Sequence, residues 1–588
     1  MKLQLLLFTI LSLLISSCVK EESDFIKGEQ GLTYTSNILG IVIDEEGQPI
    51  KDANVTFNGV TKTTDANGVY QFKDVEVSDR HSNIRIKKDG YFDGSRAFMT
   101  ARKASISLKV ILLKKDFDQS FNSNTGGSLK ESNINVEFPS DGIVVESTGE
   151  KYAGQVNVAI KYMDPNSETI FDEMPGNLSG LNSSQAEVIL TTYGMVSIEM
   201  QSTNGQKLQI ASGKKVKMSN KVPNELLDKA PSTIPLWYFD ESLGYWIEEG
   251  EAHLVNDSYV GEVGHFSCWN YDLQDPAVTL KGRVIERNGN PVPNATVEIY
   301  GEAGLRASRG NTDDAGYFGG LIPKNQLLTI KIFYSPPGCP TEEVYNVQIG
   351  PFQDDTDLND IIIQFISSSP VEIKAQLVNC DGSAVNEGYL KVGTGNSIVI
   401  IPVENGEIES NIFVCNNLSS LEFEGIDPIN LISSDIIVKS ISSKIDLGQV
   451  IVCGHEPDYI TLKIEEIGLD TIITTGLKGI DQEGLLKKFK NESNAHPYAN
   501  VDMDLAWNGL IENGIIPGLY NTNNSLFHLS IIRNINRERF YFESGSITII
   551  QGGENPGDEI KGEIDFIISS HDRPETFPMT ATFKLRLN

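Results

Sequence analysis

Four carboxylates stand within seven residues of one another, at Asp354, Asp355, Asp357 and Asp360. Clustered carboxylate oxygens are the ligands that Ca²⁺ prefers in proteins. The run lacks the central glycine and the closing glutamate of an EF-hand loop. Two interpretations stay open, a calcium site and a solvated acidic loop, and the second is the simpler. We expect no cofactor, with calcium at this run as the one alternative.

The cysteines can form disulfides but show no metal-type spacing. Apart from Cys18, the chain contains five of them, at Cys268, Cys339, Cys380, Cys415 and Cys453. An odd number cannot all pair within one chain, so at least one thiol stays free. Four of the five lie between 339 and 453, which predicts one or two disulfides there in an oxidising compartment. The connectivity is open.

No enzyme signature is present in the sequence. We find no nucleophile elbow, zinc-protease helix, phosphate-binding loop or dinucleotide fingerprint. The run Ser212-Gly-Lys-Lys215 matches an S-x-x-K pattern, but it lies in a polar turn and lacks the partner motifs. We therefore predict a protein that is not an enzyme. The 80 acidic residues form too many pairs to exclude a glycan-processing enzyme with an unrecognised site.

Size and charge narrow the class of protein further. With 588 residues, the chain must divide into several domains. Its net charge is −32, with a pI of about 4.6. Phosphate binding needs clustered Lys and Arg, and no such run occurs. We predict that nucleic acid is not a partner.

The N-terminus has the pattern of a lipoprotein signal peptide. Lys2 precedes an apolar run from Leu3 to Ile15, and small residues lead to Cys18. This order is typical of a secretory signal, and the run is shorter than the roughly 20 residues that span a bilayer. Ile15-Ser16-Ser17-Cys18 resembles a lipobox, which implies that Cys18 is lipidated. The alternative is a plain secretory signal with an incidental cysteine.

One pattern of residues occurs twice along the chain. The residues Gly40, Val42, Gly47, Pro49, Ala53 and Val55 recur at one constant offset as Gly282, Val284, Gly289, Pro291, Ala295 and Val297. The turn Thr64-Asp65-Ala-Asn-Gly68 is then matched by Thr312-Asp313-Asp-Ala-Gly316. An Asp in such a turn is expected to bond its own backbone. A constant offset over matching residue types indicates one fold used twice.

Both segments resemble the carboxypeptidase regulatory-like domain, a transthyretin-like β-sandwich. That family is a structural or binding accessory module, so the resemblance implies no catalytic residues. A third, degenerate copy is predicted to start near Val371. There Leu377, Gly382, Val385 and Leu390 continue the pattern, but the T-D-x-x-G turn is missing.

Residues 128–273 have a different pattern of short strands, ending in Val263-Gly-His-Phe-Ser-Cys-Trp269. This stretch resembles the domain of cartilage intermediate layer protein and, more distantly, the β-sandwich pair of netrin-receptor and ankyrin-type proteins. Some of those distant relatives cleave themselves at His-Phe-Ser. The resemblance makes His265, Phe266 and Ser267 the candidate autoproteolytic site.

The chemistry at that tripeptide would be an N-to-O acyl shift. Ser267 would attack the carbonyl of Phe266 while His265 accepts the proton, and water would hydrolyse the resulting ester. Held geometry and backbone strain would have to drive the step, because a free peptide of these residues is inert. In the alternative interpretation, His265 belongs to an ordinary loop while Phe266 and Trp269 pack the core.

Together these patterns predict an all-β chain of tandem β-sandwich modules, transthyretin-like or Ig-like, behind a lipoprotein signal peptide. The expected segments are a signal peptide at 1–17, a tether at 18–35, regulatory-like modules at 36–115 and 277–366, the middle domain at 128–273, the degenerate repeat at 370–454 and a C-terminal β-rich domain at 457–588.

The predicted function is that of a lipid-anchored envelope protein whose modules bind a glycan or protein partner. The acidic run after Cys18, ending at Asp24, resembles the signal that sends some Gram-negative lipoproteins to the outside of the outer membrane. We therefore expect exposure on the cell surface, with the periplasmic face as the alternative. Membrane contact would be through the N-terminal lipid. Self-cleavage between Phe266 and Ser267 is the alternative function.

Overall fold

The computed structural model describes residues 31–453, apart from 302–303, 366–367, 395–396 and 431, and the strands of a C-terminal sheet between 459 and 586. The predicted signal peptide, Cys18 and most of the predicted tether lie outside the described residues. The chain is built almost wholly of β-strands, which confirms the predicted all-β fold of tandem sandwiches. Within the described part, no helix is long and apolar enough to cross a membrane.

The first sandwich, repeat 1, packs a three-stranded sheet against a four-stranded one. Its strands are β1 (Thr33–Asp44), β2 (Asn54–Phe57), β3 (Val60–Thr63), β4 (Val69–Ser78), β5 (Ser82–Lys87), β6 (Gly94–Phe98) and β7 (Ser105–Leu112). The sheet orders are β4-β1-β7, with β1 and β7 parallel, and β3-β2-β5-β6. Buried residues alternate along β1 because successive side chains point to opposite faces. The strand begins at Thr33, slightly before the predicted start at 36.

The middle domain follows as one large sheet wrapped around two apolar cores. Its elements are β8 (Gln119–Asn122), β9 (Gly127–Glu131), β10 (Ile134–Phe138), β11 (Ile143–Val145), β12 (Gln155–Met163), α1 (Ile170–Glu173), β13 (Ser179–Leu181), β14 (Glu187–Ser202), β15 (Lys207–Ile210), β16 (Val216–Lys221), α2 (Asn224–Leu227), β17 (Thr233–Asp240), β18 (Tyr245–Val255), β19 (Ser258–Val263) and β20 (Cys268–Glu286). Trp237, Trp246 and Trp269 are fully buried in the cores.

Two boundaries of the middle domain differ from the prediction. The domain begins before residue 128, because β8 pairs with β12. The predicted boundary between 273 and 277 lies inside β20, which pairs with β14 in its first half and with a strand of the next sandwich in its second. One continuous strand, rather than a linker, therefore joins the two units and fixes their orientation.

Repeat 2 and repeat 3 have the topology of repeat 1. Repeat 2 uses the second half of β20 with β21 (Thr296–Tyr300), β22 (Arg306–Asn311), β23 (Tyr317–Pro323), β24 (Leu328–Tyr334), β25 (Glu342–Ile349), β26 (Thr356–Asp357) and β27 (Ile361–Ile363). Repeat 3 contains β28 (Ser368–Asn379), β29 (Tyr389–Thr394), β30 (Ser397–Pro402), β31 (Glu407–Cys415), β32 (Ser420–Asp427), β33 (Ile432–Ser433), β34 (Ile437–Ser440) and β35 (Lys444–Val452). In each repeat the first strand has one antiparallel and one parallel neighbour, as in repeat 1.

The chain ends in an eight-stranded sheet. Its strands are β36 (Tyr459–Ile464), β37 (Leu469–Ile473), β38 (Val501–Trp507), β39 (Gly518–Asn521), β40 (Phe527–Arg533), β41 (Glu538–Gln551), β42 (Glu559–Ser570) and β43 (Arg573–Arg586). The order is β37-β36-β43-β42-β41-β40-β38, with β39 paired to β41.

The side chains of the T-D-x-x-G turn hydrogen-bond to nearby backbone groups and stabilise the turn, as their residue types predict. Thr64 accepts the N–H of Ala53 at 2.8 Å, and Asp65 accepts those of Asn67 and Val69 at 2.9 Å. In repeat 2, Thr312 likewise accepts the N–H of Ala295 at 2.8 Å, and Asp313 accepts those of Ala315 and Tyr317 at 2.9 Å. At Gly68 the φ angle is +70°, and a Cβ would lie 2.3 Å from the carbonyl oxygen of Val42, so only glycine fits.

Both copies of this turn also dock one sandwich on another. The hydroxyl of Tyr389 in repeat 3 donates to Asp65 at 2.5 Å and accepts from Asn67 at 3.0 Å. In repeat 2, the N–H of Asp314 donates to the carbonyl of Ser105 at 3.2 Å. Repeat 1 therefore contacts both other repeats, although repeat 3 follows it by more than 250 residues in the sequence.

The structure confirms the predicted disulfides. Cys339 pairs with Cys415, which links repeat 2 to repeat 3, and Cys380 pairs with Cys453 within repeat 3. Cys268 is the free thiol of this set. Burial raises the pKa of Cys268 to about 12, so it stays a protonated, unreactive thiol at neutral pH.

Candidate functional site

The predicted cleavage segment links β19 to β20 in the middle domain. The side chain of Gln209, on β15, brackets the peptide of Phe266. Its Oε1 accepts the N–H of Phe266 at 2.8 Å, and its Nε2 donates to the carbonyl of Phe266 at 3.3 Å. The ring of Phe266 packs edge to face on Phe138, with the ring centroids 5.8 Å apart. The carbonyl that Ser267 would attack is therefore held by a neighbouring strand.

The two side chains that would perform the acyl shift are turned to other partners. The hydroxyl of Ser267 donates to the carbonyl of Cys268 at 3.2 Å, two carbonyls beyond that of Phe266. The ring of His265 lies 5.1 Å from that of Trp269, and its Nε2 is 3.6 Å from the Glu249 carboxylate. A proton acceptor must lie within hydrogen-bond reach of the group it serves. No hydrogen bond joins His265 to Ser267 among the described contacts, and cleavage stays a prediction.

The acidic run follows β25 and extends through β26. Asp355 accepts the N–H of Thr279 at 2.8 Å and pairs with Arg80 at 3.0 Å, which ties repeat 2 to repeat 1. Asp357 and Asp360 lie beside a cavity between the sandwiches, and Asp354 uses its carbonyl to accept from Thr356. Over the residues that the structure describes, no three His, Cys, Asp or Glu side chains gather to hold a metal ion. The geometry favours an acidic loop that contacts its neighbours.

That cavity, which we call the junction cavity, has a volume of about 860 Å³. It lies where repeat 1, the middle domain and repeat 2 meet. Its walls are β6 and β7 of repeat 1 and β22 and β23 of repeat 2, and the α1 region of the middle domain closes one side. Each of these four strands is the outer strand of its sheet. Cavities of this size at domain junctions are typical ligand sites.

An aromatic ring with two guanidinium groups over it forms part of the wall. Arg102 lies 4.6 Å and Arg283 lies 5.0 Å from the centre of the Tyr317 ring. Arg283 and Tyr317 are cross-strand partners on β20 and β23, so their side chains share one face of the sheet. Arg102 comes from repeat 1 and also lies 3.9 Å from Asp313. Arg102, Arg283 and Tyr317 therefore bring side chains of two repeats into contact, and the two guanidinium groups place positive charge in the cavity wall.

A buried carboxylate joins the three units at the other side of the cavity. Asp172, on α1, is 3.5 Å from Lys109 of repeat 1 and 3.3 Å from Arg309 of repeat 2. Burial opposes ionisation of Asp172, but Arg309, Lys109 and Arg96 outweigh it and hold the pKa of the carboxyl below its usual value. Arg96 also donates to the carbonyl of Gly176 at 3.3 Å. We call Asp172 and the basic side chains around it the Asp172 hub. Its carboxylate stays charged, and its ion pairs hold the three units together around the cavity.

His81 lies at the edge of the cavity, between repeat 1 and the middle domain. Its ring stacks on Tyr245 with the centroids 4.0 Å apart, and Nε2 is 3.1 Å from the carbonyl of Leu243. Burial lowers the pKa of His81 to about 4. The imidazole is therefore neutral at pH 7, with its proton on Nε2 facing that carbonyl.

Sequence reasoning did not find the junction cavity. Its charged residues come from segments that are far apart in the sequence. Arg102, Asp172 and Arg283, for example, belong to three different segments and share no motif. One sequence feature pointed to part of it, since Arg283 and Tyr317 lie inside the repeated pattern. The repeat predicted a sandwich there without predicting what the sandwich would face.

The structure is that of an all-β protein of tandem sandwiches with a cavity between three of its modules. No family model matches the chain. Human cartilage intermediate layer protein 1 is 27% identical over 124 residues, which is 21% of this chain and 10% of that protein. The match supports the predicted resemblance to that protein, of whose length the chain spans about a tenth. The resemblance to regulatory-like domains stays a prediction.

The solved structures that align with the chain include two bacterial proteins. The shaft pilin SpaA of Lactobacillus rhamnosus GG aligns with a TM-score of 0.17 and 9% identity, over 30% of this chain and 96% of that chain. The TIE protein of Bacillus anthracis aligns with a TM-score of 0.16 and 11% identity, over 73% of this chain and 69% of that chain. Since the TM-scores are this low, we base no conclusion on these alignments.

Proposed function

We propose that this chain is a non-enzymatic, lipid-anchored protein of the bacterial envelope, exposed on the cell surface, whose β-sandwich modules bind a glycan or protein partner. The observation that carries the proposal is the junction cavity. Three modules are fixed around it by a continuous strand, by the Asp172 hub and by the Arg80–Asp355 ion pair between repeat 1 and repeat 2. A rigid cavity of this size binds a partner without paying for large rearrangements.

The anchor rests on the N-terminal pattern, and Cys18→Ser tests it. The wild-type chain, expressed in a Gram-negative host, should partition into the detergent phase. Protease added to intact cells should degrade it, because it is exposed on the cell surface. The variant should partition into the aqueous phase, because the acyl chains are gone. Detergent partitioning that does not change in Cys18→Ser would exclude the lipid anchor. Protection from protease in intact cells would place the protein on the periplasmic face.

The non-enzymatic part of the proposal has a separate test. The chain produced from residue 19 should release no reducing ends from a panel of neutral and acidic polysaccharides over a long incubation. Turnover that survives repurification and is abolished by Gly310→Val, which places an isopropyl group in the junction cavity, would establish the glycan-processing alternative.

A further inference from the structure

We propose that the junction cavity binds an extended acidic peptide segment of a partner protein, which adds to the free edge of β22 and places its carboxylates against Arg102, Arg283 and Lys281. This inference rests on the proposed binding function and names the partner's chemistry. It follows from the strand edges around the cavity, from the charge of its lining and from the way its aromatic ring is covered.

The strand edges are the first observation. β6 and β7 end the two sheets of repeat 1 on one side, and β22 and β23 end the two sheets of repeat 2 on the facing side. In the part of the chain that the structure describes, the outer edge of β22 pairs with no other strand, and neither does that of β7. Such an edge offers unpaired N–H and C=O groups, and an extended peptide satisfies them in alternation.

The charge of the lining is the second observation. The chain as a whole carries −32, but basic residues outnumber acidic ones around this cavity. The basic residues are Arg80, Arg96, Arg102, Lys109, Lys281, Arg283 and Arg309, and the acidic ones are Asp79, Asp172, Asp313, Asp357 and Asp360. Lys281 has no ion-pair partner within the described residues. A locally basic cavity on an acidic molecule selects an anionic ligand and repels cationic ones.

The aromatic ring distinguishes a peptide from a saccharide. Tyr317 is 41% exposed, but guanidinium groups from Arg102 and Arg283 lie over the ring, within cation–π distance of its centre. A sugar ring could stack on a covered face of Tyr317 only by displacing the guanidinium group there. Arg102 already lies 3.9 Å from Asp313, and the Nε of Arg283 donates to the carbonyl of Ala315 at 3.0 Å. An incoming carboxylate would therefore bind the remaining N–H groups of these two guanidinium groups. Strand edges and capped tyrosine together favour an acidic peptide.

A glycine on β22 provides a sharp variant. Gly310 lines the cavity, its φ lies outside the left-handed region, and a Cβ added there would meet nothing within 4 Å. Gly310→Val therefore places an isopropyl group in the cavity, and because strands favour valine, folding should be retained. Gly301→Val is the matched control, because a Cβ there meets only Gln326 at 3.5 Å and the residue does not line the cavity.

The experiment is a selection of displayed nine-residue peptides on the chain produced from residue 19. We expect enriched sequences with Asp or Glu at alternate positions, since alternate side chains of an added strand face one way. An enriched peptide, made synthetically, should lose affinity about tenfold or more on Gly310→Val and about tenfold on Lys281→Gln, and none on Gly301→Val. Methylating its backbone nitrogens one at a time should abolish binding at every second position.

Three results would overturn the inference. They are the absence of enrichment, enrichment of basic sequences, and an enriched peptide whose affinity is unchanged by Gly310→Val. An array of glycans that includes uronic acids is run alongside. A glycan that binds wild type and fails on Gly310→Val would replace the peptide while leaving the proposed binding function intact, whereas no ligand of either class at the cavity would remove both.

Discussion

The His265-Phe266-Ser267 segment and the junction cavity differ in how their residues come together. The tripeptide is contiguous and visible in the sequence, but its hydroxyl bonds to Cys268 and its imidazole faces Glu249. The cavity is invisible in the sequence, but residues from three units converge on it within hydrogen-bond or ion-pair distance. In this protein, residues that are adjacent in the sequence do not contact one another as a site. Residues from distant segments do converge, because the modules pack together.

The difference follows from what holds each region. The tripeptide connects two strands of one domain, so its geometry is set by the core beneath it and by Gln209. The cavity is held by charges that are partly buried between modules, where a carboxylate and its cations are coupled more strongly than at the surface. Substitutions at the cavity should therefore weaken the packing of the modules against one another. Substitutions at the tripeptide should affect only the middle domain near it.

The largest effect is expected from Asp172→Ala. Removing this carboxylate leaves Lys109 and Arg96 without their anion and leaves Arg309 with only Glu298, at 3.8 Å, and breaking a buried pair in this way costs about 3–5 kcal/mol. Urea unfolding should begin at a lower concentration, and protease should cut between modules earlier than in wild type. If the hub holds the assembly, Asp172→Ala with Arg309→Leu should be more stable than Asp172→Ala alone.

Glu137→Ala is the control for that prediction. Glu137 pairs with Lys217 at 3.2 Å, but both side chains are nearly half exposed, and such surface pairs contribute little. Its unfolding midpoint should match wild type. Equal midpoints for Asp172→Ala and Glu137→Ala would show that the hub does not couple the modules.

Acidification should loosen the same junction through His81. Its pKa is about 4 in the folded chain against 6.5 for the free imidazole, so the unfolded or undocked form binds the proton more readily. The stability contributed by the neutral ring is fully present above pH 6.5 and is lost as the pH falls towards 4, by about 3 kcal/mol in total. His81→Phe should flatten this part of the urea-midpoint profile. The control, His253→Phe, changes an exposed ring and should leave the profile unchanged.

The sequence could predict the sandwiches because their determinants are local or periodic. The turn around Asp65 needs a Thr, an Asp and a Gly at fixed spacing, and alternation along β1 identifies the buried face. The third repeat keeps the topology without that turn, since Leu377 still accepts the N–H of Val385 and donates to the carbonyl of Gly406. The pattern of buried residues thus specifies the fold more than the turn does.

The cavity could not be predicted because nothing local specifies how modules dock. Asp172 belongs to a helix of four residues, and its partners Lys109 and Arg309 are chosen by the path of β20 and by the contact between repeat 1 and repeat 2. The predicted boundary between 273 and 277 divided the strand β20, which contains Pro276. Pairing on both sides keeps the strand continuous through the proline.

A smaller, local effect is expected from Gln209→Ala. The substitution removes the acceptor for the N–H of Phe266 and the donor for its carbonyl, and an orphaned buried amide costs about 1–3 kcal/mol. Hydrogen exchange should speed up at residues 264–268 and stay unchanged in repeat 1. The comparison residue is Gln155, whose side chain bonds only the exposed Ser120, and Gln155→Ala should change neither region. Faster exchange across repeat 1 as well would contradict the local role.

The smallest effect is expected from Ser267→Ala. With its hydroxyl on the carbonyl of Cys268 and no bond to His265, Ser267 is not placed to attack Phe266, so intact mass should show one uncut chain for wild type and variant alike. Two fragments meeting at Phe266–Ser267 in wild type, and absent from the variant, would reverse the contrast between the two regions. Adding Gln209→Ala sharpens the test, because it frees the Phe266 carbonyl. Cleavage that appears only in that background would show that Gln209 holds an otherwise competent tripeptide inactive.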